Sequence, residues 1–433
     1  MGRHGTQACH PGAVGDLWER TASDLLTQQS ISAALALLVF AAVAVIWASW
    51  SRRNVARLQR IPLRVLVTGS RGKSSTVRLI HAALSAGGIP TLGKMTGTAS
   101  RELDTAGREH STNRIGQVSI LEMLETVHRS FTRDETPPQA VVLECMAVTP
   151  DLIVMCTDDI VRPQVSVVTN ALWDHLEEQG TTLPQIAMSL SGSMTGAEVV
   201  ITAEHRERTR AVLAYEAASR GAAFDAVSGA DVPQEILSRL SGAHPDNVAI
   251  AIAVAAFAGI DRETAVRGME RATAEPLPTR PATATFEGIE WWYRDIGSIN
   301  DTDSLTPALL QARAQMPPDA VTLAILTSRW DRPLRAIQFA SSITPDDVSG
   351  LVFVGEPDVV VRRYAEQSGW TKDRIIRVGT WGLGERPLYR RIADLAERVS
   401  GTRPQRIALI GLENNHQYVA DSIRARMLGS DVL

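Results

Sequence analysis

The chain has little cysteine and no large excess of charge of either sign. Its 433 residues include three cysteines, Cys9, Cys145 and Cys156, and carry a formal net charge of -4 at pH 7. Three widely separated cysteines do not suit a disulfide framework or a zinc cluster, so we expect buried free thiols and a reducing compartment for most of the chain. The weak net charge gives no electrostatic footprint for nucleic acid. A hydrophobic content of 44% is typical of a folded protein, and the length suits two or three domains.

One long apolar run lies near the N-terminus. Residues 31–50 read ISAALALLVFAAVAVIWASW without a charged side chain, and five arginines follow between Arg52 and Arg64. As a helix, this run would span about 30 Å, the thickness of a bilayer's hydrocarbon core. We predict an extracytoplasmic segment over 1–30, a single transmembrane helix over 31–50, a basic linker over 51–63 and a cytoplasmic remainder. A cleaved signal peptide is the alternative, but acidic residues precede the run and no small-residue cleavage site follows it.

The rest of the chain alternates short apolar runs with helical patterns. This alternation is typical of an α/β protein with a mostly parallel sheet. Three prolines between Pro276 and Pro281 indicate a domain boundary. We predict a central domain over 64–277 and a smaller, Rossmann-like domain over 278–433. The predicted strands are 64–68, 140–145, 165–169, 198–202, 321–327, 350–354, 375–378 and 406–410, and two predicted helices cover 245–256 and 261–272.

A glycine-rich turn follows the first predicted strand. The segment RVLVTGSRGKSS leads into the helical pattern TVRLIHAALSA, so strand, glycines, lysine and helix come in the order of a phosphate-binding loop. Backbone amides and the helix N-terminus would face phosphate oxygens, Lys73 would supply a positive charge, and Ser74 could bind Mg²⁺. Lysine occurs only three times in the chain, so Lys73 is not one of many solvated surface lysines. The predicted nucleotide-binding residues of the loop are Gly69, Ser70, Arg71, Gly72, Lys73, Ser74 and Ser75.

Polar residues stand at the ends of two further predicted strands. Glu144 ends AVVLE, and Asn170 follows VSVVT, with Asp174 and His175 just beyond. Because parallel strands place their carboxyl ends at one sheet edge, we expect these residues beside the phosphate loop. A carboxylate there suits Mg²⁺. Taken alone, Glu144 is better explained as a surface residue at a strand end, and His175 as an ordinary packed or exposed side chain.

The motifs GSRGKSS, LECMAV, TNALWDHLEEQG and GAHPDN together resemble the Mur ligase family of ATP-dependent amide-bond ligases. The segments LECMAVTPDL and TSRWDRPLRAIQFA, with the apolar N-terminal run, resemble its poly-γ-glutamate synthase branch, the CapB or PgsB type. The resemblance covers residues from Arg64 to about Met427. It implies a Mur ligase-like P-loop ATPase domain, a smaller C-terminal domain, and ATP with Mg²⁺ as cofactors.

The resemblance also implies roles for individual residues. Lys73 and the loop amides would hold the β- and γ-phosphates, Ser74 and Glu144 one Mg²⁺, and His175 a second. Asn170 and Asp174 would shape the same edge, and Asn247 would lie near the adenine. Arg329 and Asp331 match the stretch that swings over the nucleotide when the domains close. The domain-interface segment would contain Asn300, Asp301, Asp303 and Ser304.

Three features depart from the cell-wall Mur ligases. No lysine occurs between Asp174 and Lys372, where those enzymes carry a carbamylated lysine, so the second Mg²⁺ must be held differently or more weakly. The spacing of GAHPDN differs from the family's H-N-x-x-N, which affects the adenine contact. We also expect no separate nucleotide-sugar-binding domain before Arg64, which argues against a UDP-linked muropeptide substrate.

We therefore predict a membrane-anchored ligase that forms poly-γ-glutamate through an acyl phosphate, releasing ADP and phosphate. Arg101, Arg108 and Arg114 are candidates for holding glutamate carboxylates, or are ordinary surface arginines. Two alternatives remain open: a Mur-family ligase with another acceptor, similar to folylpolyglutamate synthase, and a non-catalytic nucleotide-binding subunit that gates a membrane complex. The implied partners are glutamate, the growing polymer and small membrane subunits of the CapC/PgsC and CapA/PgsA type. Homo-oligomerisation is left open.

Overall fold

The computed structural model describes residues 11–96, 100–112, 119–240, 242–272, 281–296, 299, 301–328, 333–356, 358–378 and 385–412. The chain divides into two units, Met1–Arg60 and Ile61–Leu433. Cys145 and Cys156 are free and buried, as predicted, whereas Cys9 lies outside the described residues.

The first unit contains one long helix, α1 (Pro11–Gln59). Its stretch Ser30–Gln59 has a mean hydropathy of 2.6 in its most apolar window and is long enough to cross a membrane. Every residue from Ser30 to Trp47 is exposed, and Phe40 is 73% exposed. The predicted transmembrane segment 31–50 is thus a candidate membrane span, and the basic segment after it stays helical to Gln59.

The first sheet of the second unit has eight strands in the order β4-β3-β2-β5-β1-β6-β7-β8. Six neighbouring strands pair in parallel, and at one edge the reversed strand β3 pairs antiparallel with both β2 and β4. The four strands predicted for this half are β1, β5, β6 and β7, and no end differs by more than one residue. The strands are β1 (Leu63–Thr68), β2 (Thr91–Met95), β3 (Arg101–Leu103), β4 (Glu109–Ser111), β5 (Ala140–Glu144), β6 (Val165–Val168), β7 (Val199–Thr202) and β8 (Ala223–Ala226).

Helices cover both faces of this sheet, as expected for the α/β class. The helix that follows the phosphate loop, α2, contacts α9 and α10, and these three bury valines of β1, β5 and β6 in one apolar core. The predicted helices 245–256 and 261–272 are α9 and α10. The helices are α2 (Lys73–Ala86), α3 (Glu122–Arg133), α4 (Pro150–Met155), α5 (Leu176–Gln179), α6 (Leu183–Leu190), α7 (Glu207–Ser219), α8 (Gln234–Arg239), α9 (Pro245–Phe257) and α10 (Arg262–Glu270).

The second sheet has six strands in the order β13-β12-β11-β14-β10-β9, of which only β9 is antiparallel. The four predicted C-terminal strands are β11 to β14. The hairpin of β9 and β10 extends the sheet and stacks Phe286 on Trp291, with ring centroids 4.8 Å apart. The elements are β9 (Ala282–Phe286), β10 (Ile289–Asp295), α11 (Thr302–Ala314), β11 (Val321–Ser328), α12 (Pro333–Ser342), β12 (Gly350–Gly355), α13 (Asp358–Gln367), β13 (Ile375–Val378), α14 (Glu385–Ser400) and β14 (Arg406–Leu412).

The short hairpin of β3 and β4 is not evident in the sequence pattern, because its strands are mostly polar. Polar contacts hold it instead. Asp104 is fully buried at its turn and accepts hydrogen bonds from the backbone amides of Ala106 and Arg108, from Arg108 Nε and from His110 Nε2, at 2.8–3.0 Å. Burial alone would raise the pKa of Asp104, but the bonds from His110 and Arg108 lower it to about 2.

We predict that Asp104→Asn destabilises the fold by about 1–3 kcal/mol at neutral pH, because the buried donors lose their charged acceptor. A carboxyl with a lowered folded pKa contributes stability above its unfolded pKa, and this is lost as pH falls toward the folded value. The difference between wild type and variant in urea unfolding should therefore shrink from pH 7 to pH 3. The exposed Asp225→Asn is the control. A difference that stayed constant over this pH range would contradict the assignment.

Candidate active site

The phosphate loop lies between β1 and α2 in a conformation that requires glycine. Gly69 has φ +124° and Gly72 has φ +82°, both in the left-handed region. A Cβ on Gly69 would lie 2.1 Å from Thr169 Oγ1, and one on Gly72 would lie 2.7 Å from Asn247 Oδ1. Neither position can accept a larger residue without moving the loop.

The end of the neighbouring strand β6 holds this loop. Asn170 accepts two hydrogen bonds from it, one from the Ser70 amide to its carbonyl (3.0 Å) and one from the Arg71 amide to Oδ1 (2.9 Å). Thr169 Oγ1 donates to the Arg71 carbonyl at 2.6 Å. Ser70 Oγ accepts a hydrogen bond from the amide of Leu172 at 2.9 Å. The TN motif therefore braces the loop, and a role of Asn170 in the reaction stays a prediction.

Lys73 begins α2 and folds back over the loop. Its Nζ donates to the carbonyl oxygens of Gly69 at 2.7 Å and of Ser70 at 3.3 Å. The ammonium is thereby fixed at the loop, next to the N-terminus of α2. This is the position from which a lysine can neutralise phosphate charge. Ser75, the third residue of the helix, is exposed.

Ser74 and Glu144 meet across two adjacent elements. Ser74 Oγ donates to Glu144 Oε2 at 2.8 Å, and the amide of Thr96, just after β2, donates to the same oxygen at 2.7 Å. Glu144 is only 4% exposed. In the part of the chain that the structure describes, its partners are this hydroxyl and amide rather than a cationic side chain. A buried carboxylate of this kind needs a compensating positive charge.

This pair of oxygens fits Mg²⁺, which prefers oxygen ligands and completes its shell with water and substrate phosphate. No group of three or more histidine, cysteine or acidic side chains able to hold a metal occurs among the described residues. A fully protein-bound metal of the zinc type does not fit this site, whereas a cation shared between Ser74, Glu144 and nucleotide phosphates does.

Asp174 and His175 lie after the TN motif. His175 adopts φ +53°, an uncommon conformation for a residue with a side chain, at the start of the short helix α5. Its Nε2 lies 3.8 Å from Asp174 Oδ1, and its Nδ1 lies 3.8 Å from Glu178 Oε2. Strained residues concentrate at functional sites, so the conformation supports a role for this motif. Binding of a second Mg²⁺ by His175 stays a prediction.

Asn247 lies at the phosphate loop. It is 7% exposed near the start of α9, and its side chain occupies the space that a Cβ on Gly72 would need. The structure thus brings the GAHPDN segment to the nucleotide loop. A contact of Asn247 with the adenine stays a prediction.

The C-terminal sheet region reaches the phosphate loop through Asp301. Arg71 Nε lies 3.2 Å from Asp301 Oδ2, and Asp301 is completely buried. Asp301 also caps α11 by accepting a hydrogen bond from the Ser304 amide at 2.8 Å. Arg206 forms a second ion pair, with Asp303. The predicted interface segment therefore does lie between the two sheets.

Three predicted residues of the second half, Asn300, Arg329 and Asp331, lie outside the described residues.

The candidate carboxylate-binding arginines have partners of their own where they are described. Arg101 Nη1 lies 2.6 Å from Glu109 Oε1, and Arg108 Nε lies 2.8 Å from Asp104 Oδ2. Arg114 lies outside the described residues. The pairings favour the alternative that Arg101 and Arg108 belong to the surface of the β3–β4 hairpin.

Two supporting groups are not identified from the sequence. Glu204 follows β7, is 2% exposed and accepts the amide of Ala171 at 2.9 Å, which fixes the chain after Asn170. It carries the same signal as Glu144, an acid just after a strand, so the sequence could have suggested it. Nothing in the sequence indicates that the amide of Thr96 binds Glu144.

Lys94 is a further unexpected group. It is fully buried in β2, donates to Ser100 Oγ at 2.7 Å and lies 3.5 Å from Glu122 Oε2 and 3.9 Å from Glu102 Oε1. Burial lowers the pKa of Lys94, and the two carboxylates oppose this. The network joins Lys94 of β2 to Ser100 and to Glu122 of α3, close to the Thr96 amide that binds Glu144.

Comparison with known proteins accounts for this arrangement. The model of the Mur ligase middle domain matches residues 67–190, and that of the poly-gamma-glutamate synthase CapB C-terminal domain matches residues 282–426. The chain thus carries a Mur ligase middle domain and a C-terminal domain of the CapB type. Together these domains place it among the ATP-dependent amide ligases. The first match includes the phosphate loop, Glu144 and the TN and DH motifs.

Two curated relatives share most of their length with this chain. It is 28% identical over 339 residues to PGA synthase CapB of Bacillus subtilis (strain 168), covering 77% of this chain and 84% of the relative. It is 27% identical over 350 residues to the capsule biosynthesis protein CapB of Bacillus anthracis, covering 77% and 74%.

Solved structures share the fold at low sequence identity. MurF from Acinetobacter baumannii matches with a TM-score of 0.57 at 15% identity, over 88% of this chain and 80% of MurF. A bifunctional folylpolyglutamate synthase/dihydrofolate synthase from Yersinia pestis, complexed with AMPPNP and Mn ion, matches with a TM-score of 0.54 at 13% identity, over 87% and 91%. These likenesses confirm the Mur ligase-like fold.

We predict that Glu144→Gln strongly reduces the effect of Mg²⁺ on ADP binding while leaving metal-free ADP binding equal or tighter. The carboxylate attracts the cation but repels phosphates, so its neutral isostere should have opposite effects on the two. Calorimetric titration of the full chain with ADP, with and without Mg²⁺, measures both affinities. We expect the Mg²⁺-dependent gain to fall by a factor on the order of 10 to 100.

Ser74→Ala should reduce the same gain, and Ser85→Ala, in the last turn of α2, is its matched control. Equal Mg²⁺ effects in wild type and Glu144→Gln would exclude Glu144 as a ligand.

Proposed function

We propose that the chain is the ligase of a poly-γ-glutamate synthase, which joins glutamate units through an acyl phosphate at the expense of ATP. The observation that carries the proposal is the Ser74–Glu144 pair beside Lys73, in a chain whose C-terminal part matches the CapB domain. The names of the two curated relatives, a PGA synthase and a capsule biosynthesis protein, support glutamate as the substrate.

The reaction proceeds in two steps and needs no reactant besides ATP and the two glutamate units. A carboxylate oxygen of glutamate attacks the γ-phosphorus of ATP, the bond to the β-γ bridging oxygen breaks, and ADP leaves. The amine of another glutamate then attacks the acyl carbon and loses a proton, and phosphate leaves with the former carboxylate oxygen. Activation is needed because a carboxylate has no good leaving group.

The chain's own residues position the substrates and neutralise their negative charge. Lys73 and the amides of the loop bind the β- and γ-phosphates, where negative charge is spread during transfer. Ser74 and Glu144 would hold Mg²⁺, which when bound would offset the negative charge of the nucleotide phosphates. Asn170 keeps the loop in its binding conformation through the two hydrogen bonds it accepts.

The ion pairs of Arg71 with Asp301 and of Arg206 with Asp303 join the C-terminal part to the nucleotide-binding part, and we propose that the C-terminal domain closes over the nucleotide during the reaction. Closure of that domain would exclude water, which otherwise hydrolyses an acyl phosphate. Arg329 and Asp331 are proposed to complete the site in the closed state, as their motif implies. Asp174 is proposed to shape the same edge, and His175 to help bind a second Mg²⁺.

The test is isotopic. Glutamate labelled with ¹⁸O in its carboxylates should transfer one labelled oxygen to each phosphate released, and the organic product should contain a new amide. Phosphate without ¹⁸O, together with an amide formed on the amine of glutamate, would favour a folylpolyglutamate synthase-like ligase, because the activated carboxylate then belongs to another substrate. Phosphate without ¹⁸O and without amide would favour a gating ATPase. Separate reactions with D- and L-glutamate identify the enantiomer used.

We predict that Lys73→Ala lowers glutamate-dependent phosphate release by about 100-fold or more, because the transferring phosphoryl group loses its fixed cation. Thermal unfolding should be little changed, since Lys73 Nζ contacts only loop carbonyls among its described partners. Arg208→Ala, an exposed position on α7, is the control for loss of a positive charge. Retained ligation in Lys73→Ala would remove the loop from the mechanism.

We further propose that α1 anchors the enzyme in the cell membrane as a single span, with the catalytic region on the cytoplasmic side. The exposed apolar stretch supports this, as does the run of arginines that follows it. Anchoring would let the polymer pass directly to small membrane subunits of the synthase, of the CapC/PgsC and CapA/PgsA type.

We predict that Phe40→Arg shifts the protein from the alkali-resistant membrane fraction toward the soluble fraction, since a central arginine costs about 2.5–3.5 kcal/mol on insertion. Phe131→Arg, a surface change outside α1, should have no effect on fractionation. Membrane-impermeant maleimide should label Cys9 in intact cells, because the proposed topology puts residues 1–30 outside the cytoplasm. The label should be specific for Cys9, since Cys145 and Cys156 are buried. Soluble wild-type protein would contradict the anchor.

A further inference from the structure

A groove of about 1030 Å³ lies on the C-terminal sheet, along its edge strand β13. Its floor contains Ile375 and Ile376 of that strand, and the helices α13 and α14 contribute to its walls. The five basic side chains that line it are Arg362, Lys372, Arg377, Arg391 and Arg398. None of them belongs to the nucleotide site described above.

The charge of this groove is opposite in sign to that of the whole chain. Three acidic side chains, Glu356, Asp394 and Glu397, also line it, which leaves a net charge of +2 from five basic and three acidic groups. The complete chain carries -4. Because a positive groove on an otherwise negative protein attracts anions, the local composition favours an anionic ligand.

The basic groups are spread along the whole length of β13. At its carboxyl end, Arg391 Nη2 donates to the carbonyl of Arg377 at 2.8 Å. At its amino end, Lys372 precedes the strand, and Arg398 is near enough to help lower the pKa of Asp373, after the hydrogen bond from Thr371.

Arg391 and Arg398 are seven residues apart on α14, about 10.5 Å along its axis. A single glutamate cannot span this distance.

We propose that this groove binds the growing poly-γ-glutamate chain. The inference rests on the proposed function. Each residue of the polymer carries one free carboxylate, so a bound stretch presents repeated negative charges to the row of basic groups. Glu356 directly follows β12, so the groove begins at the carboxyl ends of the strands, the side on which α/β sheets bind their ligands. A bound chain would stay on the enzyme between additions.

The test uses the full chain in detergent and fluorescent γ-linked glutamate oligomers. The groove variant is Lys372→Glu with Arg398→Glu, two exposed positions outside the nucleotide site. Its matched control is Arg208→Glu with Arg262→Glu, which changes net charge equally at exposed positions of α7 and α10. Fluorescence anisotropy should show binding about tenfold weaker or worse for the groove variant, and within about twofold of wild type for the control. Raising salt should weaken wild-type binding.

Measurements of ligase activity distinguish failure of the groove proposal from failure of the proposed function. The groove variant should consume ATP with monomeric glutamate at the wild-type initial rate but release shorter polymers, because the product dissociates sooner. If wild type ligates glutamate but binds no oligomer, or if the groove variant binds oligomers as tightly as wild type, the groove assignment is wrong and the ligase proposal stands. If wild type binds oligomers but makes no amide, the ligase proposal fails.

Binding of an oligodeoxynucleotide of equal charge is measured in the same anisotropy assay. Tighter binding of this probe than of the γ-glutamate oligomer, lost in the groove variant, would overturn the proposal in favour of a nucleic-acid ligand.

Discussion

The hydrogen bond from Ser74 to Glu144 joins the start of α2 to the end of β5, and the active site depends on it. It places a hydroxyl and a buried carboxylate at one point beside Lys73. The parallel order β5-β1-β6 makes this possible, because it brings the ends of three strands to one edge. The carboxylate supplies negative charge and the loop supplies amides and an ammonium, so the edge can hold a metal–phosphate pair.

The rest of the site keeps that edge rigid. Asn170 braces the loop from one side, and the amide of Thr96 holds Glu144 from the other. Behind Thr96, the buried Lys94 binds Ser100 and lies close to two carboxylates. Preorganisation of this kind lowers the cost of reorientation during phosphoryl transfer. The ion pair of Arg71 with Asp301 extends the same network to the C-terminal sheet.

Much of this could be predicted from the sequence, because the decisive signals are local. The parallel strands are continuous apolar runs, and the loop combines glycines, lysine and hydroxyls between a strand and a helix. Contacts that join distant segments leave no such signal. The amide of Thr96 carries no information in its residue type, and Asp301 reaches Arg71 across 230 positions. The hairpins β3–β4 and β9–β10 are not predicted from apolar runs. The strands β3 and β4 are mostly polar, and exposed threonines alternate with partly buried residues along β9.

The position of a nucleotide-bound cation is the most direct test of this active site. A crystal structure of the full chain with AMPPNP and Mn²⁺ would locate the metal by its anomalous scattering. We expect one peak between Ser74 Oγ and Glu144 Oε2, with their direct hydrogen bond replaced by bonds to the metal and the β- and γ-phosphates against Lys73. A nucleotide bound elsewhere, or the Ser74–Glu144 hydrogen bond intact beside a bound nucleotide and metal, would contradict it.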